Sequence, residues 1–315
     1  GRGGPPRKVL VTGTGRSGTS FLAKALTALE YHVDHDKRPE DWCRAKHEEN
    51  GSQAQYQACL QADGAVSWPH LFENEERQCP VPFYTWRRRL GRRFDDRRFK
   101  AVIQLLRSPL PAMVSRWNAG KFQLNGGPSY GLVSCQTAMD LPHHAAGKKD
   151  GAAADTLRHW VLWQSFAEAV ADAQVRVEDT REGAALLELV DRAGLTRSGG
   201  AAPSVARANE AIAVLGKKTN SDHTAKLATN ETLTWGRLRR LDRPYYALAL
   251  LMARDYGYQA ELPAAQQADL ATVEGVATRR CTLAADGKWA CWLGLRRPAL
   301  DGGHAAPRAI PRASA

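Results

Sequence analysis

The residues of this chain best placed for chemistry form a glycine-rich segment, Gly13–Ser20, directly after a short apolar run. The run Val9–Thr12 predicts a buried strand, and the apolar periodicity that follows predicts a helix over about residues 18–30. A strand, a glycine-rich turn and a helix N-terminus together present backbone N–H groups and a positive dipole end to an anion. The segment nearly matches the phosphate-loop pattern G-x-x-x-x-G-K-[ST], but Thr19 stands at the lysine position and a positive charge lies at Arg16 instead. We therefore expect a phosphate-type site that departs from the nucleotide triphosphatases.

A second segment supplies a cation at the end of another strand. Residues Lys100–Leu106 form an apolar run bounded by charge, which is typical of a strand buried in a parallel sheet. In a P-loop kinase or hydrolase, such a strand tends to end in an aspartate that holds magnesium. Here Arg107 follows, and Ser115 lies eight residues later in a predicted helix over 110–119. An arginine and a helix hydroxyl can hold a second phosphate without a metal.

The two segments together resemble sulfotransferases that use 3′-phosphoadenosine 5′-phosphosulfate (PAPS). The family's first motif is a strand, a loop of the type [PG]-[KR]-[SG]-G-T-[ST] and a helix, and it is matched by Gly15–Ser20. Its second motif is a strand ending in arginine and a helix with serine eight residues on, matched by Arg107 and Ser115. Two weaker similarities extend the resemblance over about residues 8–258. Val175–Asp179 resembles a strand end of the type Y-R-x-E-D-L in the family. Leu233–Trp235, followed by Tyr256–Tyr258, resembles the helical segment at the C-terminal end of the family's domain.

The resemblance implies an α/β protein with a P-loop-type doubly wound parallel sheet flanked by helices, of the carbohydrate or bacterial type rather than the cytosolic type. It implies transfer of a sulfuryl group from PAPS to an acceptor hydroxyl, most simply on a carbohydrate, without a metal. Arg16 would stabilise the leaving group, and Lys217 would contact the donor from a closing loop. The residues implied to bind the donor are Gly15, Arg16, Ser17, Gly18, Thr19, Ser20, Arg107, Ser115 and Lys217.

The general base is predicted just after the second strand. Relatives that this pattern resembles carry an acidic residue or a histidine there, and the corresponding stretch here is Asp34-His35-Asp36. Asp36 is our first candidate, although the usual residue is the longer glutamate. His35 competes with it because the pKa of an unperturbed histidine suits proton transfer near neutral pH.

Two other functions stay open. A P-loop nucleotide or small-molecule kinase is disfavoured by Thr19 and Arg107, and a requirement for magnesium would revive it. A basic glycan-binding protein could retain the fold without turnover. The acceptor could be a saccharide, a tyrosine-containing peptide or a small alcohol. No motif for nucleic-acid recognition is present in the sequence.

Composition predicts one main domain with short additions. The 315 residues are 43% hydrophobic, which is enough for a substantial core, and no run of 18 apolar residues predicts a membrane span. We expect a disordered lead-in over 1–7, a sulfotransferase-like α/β domain over 8–260, a C-terminal appendix over 261–296 and a disordered tail over 297–315. The net charge of +11 includes a run over 87–100 with eight basic and two acidic side chains. This run is either a solvated connector or a surface that steers an anionic ligand.

The six cysteines and two glycosylation sequons bear on the compartment. None of the cysteines forms a C-x-x-C pair, so structural zinc is disfavoured. Cys281 and Cys291 flank Asp286-Gly287, a hairpin turn signal, and a hairpin there would allow a cross-strand disulfide; six free thiols are the alternative. With sequons at Asn50 and Asn230, this favours the Golgi lumen or the secretory pathway, and the cytoplasm is the alternative.

The remaining elements follow from periodicity and turn signals. A long loop over 120–152 is a candidate lid for the acceptor. The tryptophans of the helix after it are predicted to be core residues. Predicted helices cover about 45–62, 155–173, 182–194, 203–215 and 243–256, predicted strands cover 31–34, 65–69 and 173–177, and a hairpin covers 276–295.

Overall fold

The computed structural model describes residues 7–14, 17–31, 33–35, 64–66, 99–118, 149–195, 197, 201–218, 233–283 and 289–295. Within them, five parallel strands form one sheet in the order β2-β3-β1-β4-β5. The strands are β1 (Arg7–Thr12), β2 (Val33–His35), β3 (Gly64–Val66), β4 (Phe99–Leu106) and β5 (Ala173–Arg176). A separate antiparallel hairpin consists of β6 (Ala277–Leu283) and β7 (Trp289–Leu295).

Helices follow β1, β4 and β5, and most of the described chain between β5 and the hairpin is helical. The first half contains α1 (Thr19–Ala28) and α2 (Pro109–Asn118). The longest helix, α3 (Lys149–Val170), precedes β5. The later helices are α4 (Gly183–Ala193), α5 (Val205–Lys218), α6 (Trp235–Leu241), α7 (Arg243–Asp255) and α8 (Ala264–Val276).

The two faces of the sheet bury different helices. Side chains alternate between the faces of a strand, and on β4 Ile103 and Leu105 belong to one buried cluster while Leu106 belongs to the other. The first cluster lies between the sheet and α1, α4 and α5. The second includes α2, α3, α6, α7 and α8, with Trp160 and Trp163 fully buried as predicted. The prediction of an α/β chain with a parallel sheet flanked by helices is confirmed.

Most predicted elements occur within a few residues of their expected limits. The predicted strand over 31–34 is β2 at Val33–His35, while Tyr31 forms an isolated bridge with Arg197. Helix α3 begins at Lys149, so the end of the predicted loop over 120–152 is already helical. The predicted helix over 45–62, the basic run up to residue 98, the rest of that loop and the predicted tail over 297–315 lie outside the described residues. Of the predicted disordered lead-in over 1–7, residues 1–6 are outside them too, while Arg7 is the first residue of β1.

The C-terminal appendix holds a helix that the sequence did not indicate. Residues 264–276 have weak apolar periodicity, yet they form α8, which packs on α7. The predicted hairpin is present, and its register places Cys281 opposite Cys291. Directly opposed positions of an antiparallel pair lie about 4.5–5.5 Å apart at Cα, within the range of a disulfide. The disulfide itself stays a prediction.

Among the residues that the structure describes, no helix is long and apolar enough to cross a membrane.

Candidate functional site

The carboxyl ends of β1, β4 and β5 bring three turns to one edge of the sheet. These strands are neighbours and run parallel, so the segments that follow them emerge side by side. We call Gly13–Gly18, of which residues 13, 14, 17 and 18 are described, the first loop, and Arg107–Ser108 the second loop. The third turn begins at Val177. The structure thus brings together the two segments that the sequence singled out separately.

The first loop turns tightly against β4. The Ser17 N–H donates to the Thr14 carbonyl at 2.9 Å, which closes the turn. A Cβ on Gly13 would lie 2.6 Å from the Leu105 carbonyl oxygen, so only glycine allows this approach. Gly18 has φ of 100° and ψ of 8°, and a Cβ there would lie 2.5 Å from a methyl of Val177. Both glycines are therefore required by the path of the backbone.

Two hydroxyl groups lie buried inside the first loop. Thr14 and Ser17 are both 0% exposed, and neither hydroxyl has a hydrogen-bond partner among the described residues. An unsatisfied buried polar group costs about 1–3 kcal/mol, so such groups in native proteins call for a partner. A ligand oxygen would be one such partner.

Helix α1 adds donors to the first loop. Its first N–H groups have no acceptor within the helix, and its first turn carries no acidic residue. Thr19 is buried and Ser20 is exposed at this helix end. The helix therefore presents N–H groups and a positive dipole end at the edge where the loop lies.

The second loop joins β4 to α2. Arg107 and Ser108 are half-buried, and the Ser108 carbonyl accepts the Ala112 N–H at 3.1 Å to begin the helix. Proline at the first helical position, Pro109, has the backbone angle that a helix start needs. Ser115 is half-buried on α2, two turns along. The predicted strand, arginine and serine-bearing helix are therefore present.

The turn after β5 supplies a carboxylate that sequence reasoning did not place in the site. Glu178 Oε1 accepts the Ser108 N–H at 3.4 Å, and its Oε2 accepts the Tyr258 hydroxyl at 2.7 Å. The sequence contained a signal for it, because Glu178 belongs to the acidic strand end that resembled the family. Nothing local in the sequence indicated its partners.

The other predicted site residues lie in β2, in α5 or outside the described residues. His35 is the last residue of β2, whose register aligns it with Val66 of β3 and so with Val11 of β1. Two strand spacings put the backbone of His35 about 10 Å from β1. Lys217 lies near the end of α5. Gly15, Arg16 and Asp36 lie outside the described residues.

A buried polar pair lies next to Ser115 in the chain. Arg116 is 2% exposed, and one of its guanidinium nitrogens is 3.4 Å from Nε2 of His159, which stacks on Trp163. Burial and the Arg116 charge lower the pKa of His159 well below its ordinary value, so this imidazole is neutral. Burial raises the pKa of Asp155, one turn earlier on α3, to about 7, and the nearby Arg158 opposes that shift. These groups belong to the helical core beside the site.

Within the described part of the chain, no group of three or more His, Cys, Asp or Glu side chains is arranged to hold a metal ion.

Comparison of the chain with known protein families, with curated proteins and with solved structures found no match in any of the three. What this edge of the sheet can bind therefore follows from its geometry. The first loop contains N–H groups and buried hydroxyls, the second loop contains the Arg107 guanidinium, and Ser115 lies two turns along α2. Such an edge can bind a ligand that carries two separate anionic groups.

Proposed function

We propose that this chain is a sulfotransferase that moves a sulfuryl group from PAPS to an acceptor hydroxyl, most simply on a carbohydrate. The observation that carries the proposal is the pair of buried hydroxyls of Thr14 and Ser17, which have no hydrogen-bond partner among the described residues, within a glycine-rich turn before a helix N-terminus. This fits a 5′-phosphosulfate. The arginine at the end of β4, on the neighbouring strand, fits a 3′-phosphate.

The parallel sheet supports the finer assignment of a P-loop-type doubly wound fold. In the order β2-β3-β1-β4-β5, the chain places β2 and β3 on one side of β1 and then crosses to place β4 and β5 on the other, with helices on both faces of the sheet. In open α/β sheets, ligands bind outside the carboxyl ends of the strands at such a switch point. Both loops lie at the carboxyl ends of β1 and β4, so the proposed donor site coincides with the place that the topology favours.

PAPS supplies the sulfuryl group, and adenosine 3′,5′-bisphosphate is its leaving group. The N–H groups of Ser17 to Ser20, together with Arg16, would stabilise the negative charge that develops on the leaving oxygen. Arg107 and Ser115 would hold the 3′-phosphate, and Lys217 would add a contact to the donor. Asp36, or His35 in its place, would take the proton of the acceptor hydroxyl as its oxygen bonds to sulfur.

Thermal unfolding tests the proposal directly. Adenosine 3′,5′-bisphosphate without magnesium, at about a hundred times its Kd, should raise the Tm by about 5 °C. Arg107→Ala should abolish most of this shift. Arg192→Ala, which removes an exposed arginine on α4, is the matched control and should retain it.

Other outcomes point to the alternatives. A shift with magnesium and ATP alone would replace the sulfotransferase with a P-loop kinase. A shift with the bisphosphate, but no transfer of labelled sulfate to any saccharide, peptide or alcohol acceptor, would indicate a protein that binds the donor without turnover. Stabilisation by sulfated glycans alone would indicate a glycan-binding protein.

A further inference from the structure

The turn after β5 lies against both loops of the candidate site. The Val177 N–H donates to the Leu106 carbonyl at 2.8 Å, which holds this turn on the end of β4. The Val177 side chain is 3% exposed and packs where a side chain on Gly18 would otherwise lie. The backbone at Val177 therefore has a fixed position relative to the first loop.

Glu178, the next residue, connects the second loop to a distant segment. Its carboxylate accepts the Ser108 N–H through one oxygen, in a long hydrogen bond of 3.4 Å, and the Tyr258 hydroxyl through the other at 2.7 Å. Proline has no N–H, so Ser108 provides the last backbone donor before Pro109 and the start of α2. A carboxylate at this point can therefore fix the direction in which the second loop leaves the sheet.

Tyr258 is held firmly enough to serve as an anchor. It is 0% exposed, and the Arg176 guanidinium lies 4.3 Å from the centre of its ring. Arg176 also donates to the Gly257 carbonyl at 3.3 Å and to Glu261 at 2.7 Å. Burial, followed by the Glu178 carboxylate, raises the pKa of Tyr258, so its hydroxyl remains a donor.

We propose that Glu178 is a positioning residue that sets the second loop at a fixed distance from the first, so that the site selects a ligand with two separate anionic groups. This inference rests on the proposed function and deepens it. A carboxylate at an anion site would ordinarily weaken binding by repulsion. Here both oxygens are engaged by protein donors, so Glu178 acts on the loop and improves the fit of the second anionic group.

The test compares two ligands that differ by one phosphate. Calorimetry gives the Kd of adenosine 3′,5′-bisphosphate and of adenosine 5′-monophosphate for the full chain and its variants. In Glu178→Gln one acceptor oxygen becomes an amide, so one of the two hydrogen bonds is lost. We expect the bisphosphate to bind about tenfold more weakly, because a hydrogen bond to a charged group is lost, and the monophosphate to change little.

Whether Glu178→Gln weakens or strengthens ligand binding distinguishes a positioning role of Glu178 from a simple effect of its charge. Removing a negative charge alone would strengthen the binding of both ligands. Glu182→Gln removes the same charge four residues later, from an exposed side chain, and should leave the ratio of the two Kd values unchanged. Tyr258→Phe removes the anchor of Glu178 without changing a residue of either loop, and it should weaken the preference for the bisphosphate over the monophosphate by about threefold. Circular dichroism confirms that each variant is folded.

The outcomes distinguish this inference from the proposed function. If the wild-type chain prefers the bisphosphate and Glu178→Gln leaves that preference intact, or strengthens binding of both ligands, Glu178 has no positioning role and the donor site stands. If the wild-type chain does not prefer the bisphosphate, both proposals are wrong. A folded Glu178→Gln variant with a reduced preference supports both.

Discussion

Two polar clusters in this protein are built from the same three residue types, and they differ in what the glutamate holds. Tyr256 and Tyr258, on either side of Gly257, each donate a hydroxyl to a glutamate. Tyr256 reaches Glu168 on α3, where Arg279 of the hairpin completes the cluster. Tyr258 reaches Glu178, where Arg176 lies over the tyrosine ring.

In the cluster at the hairpin, both oxygens of the Glu168 carboxylate accept hydrogen bonds from a guanidinium. Arg279 donates to both oxygens of Glu168 at 2.7 and 2.8 Å, and Tyr256 adds a third hydrogen bond at 2.8 Å. Arg279 also pairs with Asp255 at 3.1 Å. This bidentate pair fastens β6 to α3, so the cluster stabilises the attachment of the hairpin.

In the cluster at the sheet edge, the arginine pairs elsewhere. Arg176 forms its ion pair with Glu261, which leaves one oxygen of Glu178 for the Ser108 N–H. Residue types alone therefore do not distinguish a structural cluster from one that contacts a loop of the candidate site. The two clusters differ in the partner of the carboxylate: Glu168 accepts hydrogen bonds from a guanidinium, whereas Glu178 accepts one from the backbone of a loop.

The largest expected effect comes from breaking the cluster at the hairpin. Arg279→Met leaves a partly buried carboxylate without its cation, and we expect the free energy of unfolding to fall by about 2–3 kcal/mol. Urea denaturation measures this, with exposed Arg240→Met on α6 as the control. The bisphosphate preference should not change. A loss below about 1 kcal/mol, or an altered preference, would contradict the distinction between the clusters.

A matched pair of tyrosine variants tests whether the two clusters differ in their effect on ligand binding. Tyr256→Phe and Tyr258→Phe each remove a hydrogen bond to a carboxylate, and each should lower stability by about 1–2 kcal/mol. Only Tyr258→Phe should also reduce the preference for the bisphosphate over the monophosphate. Equal effects of the two variants on ligand binding would show that both clusters, or neither, act on the site.

The smallest expected effect appears at alkaline pH and is common to both clusters. Burial, followed by the neighbouring glutamate, raises the pKa of Tyr256 and of Tyr258 above that of an unfolded tyrosine. Above about pH 10, the unfolded chain therefore binds fewer protons than the folded chain at these groups, and stability falls as the pH rises. The phenylalanine variants lack this loss. The difference in the free energy of unfolding between the wild type and each variant should therefore shrink by about 1 kcal/mol between about pH 9 and 11 in urea titrations. A difference that stays constant would contradict the raised tyrosine pKa values.

The parts of the site that follow directly from strands could be predicted from the sequence. The first loop and α1 have local signals in their glycines and apolar periodicity, and the apolar run before Arg107 gave β4. The hairpin followed from the turn signal Asp286-Gly287, which Cys281 and Cys291 flank. These features depend on residues within one or two turns of each other, which is the range over which sequence patterns act.

Features that depend on tertiary contacts could not be predicted in the same way. Helix α8 buries only Leu270 fully among its described side chains, so it has little amphipathic signal and is stabilised by packing on α7. Glu178 meets Ser108 and Tyr258 across 70 and 80 residues of sequence. No local pattern reports such pairings, because they arise only when the sheet and the C-terminal helices are assembled.

The hydrogen bond between Tyr258 and Glu178 also dictates an order of assembly. A nascent chain that has emerged as far as residue 200 contains every strand of the parallel sheet, but not Tyr258. Domains form during synthesis from the N-terminal side, and contacts between distant segments are the slow ones. Glu178, which accepts the Ser108 N–H, therefore gains its second partner only after α7 and Tyr258 have been synthesised. Until then the Glu178 carboxylate lacks the hydroxyl partner that holds it in the finished protein.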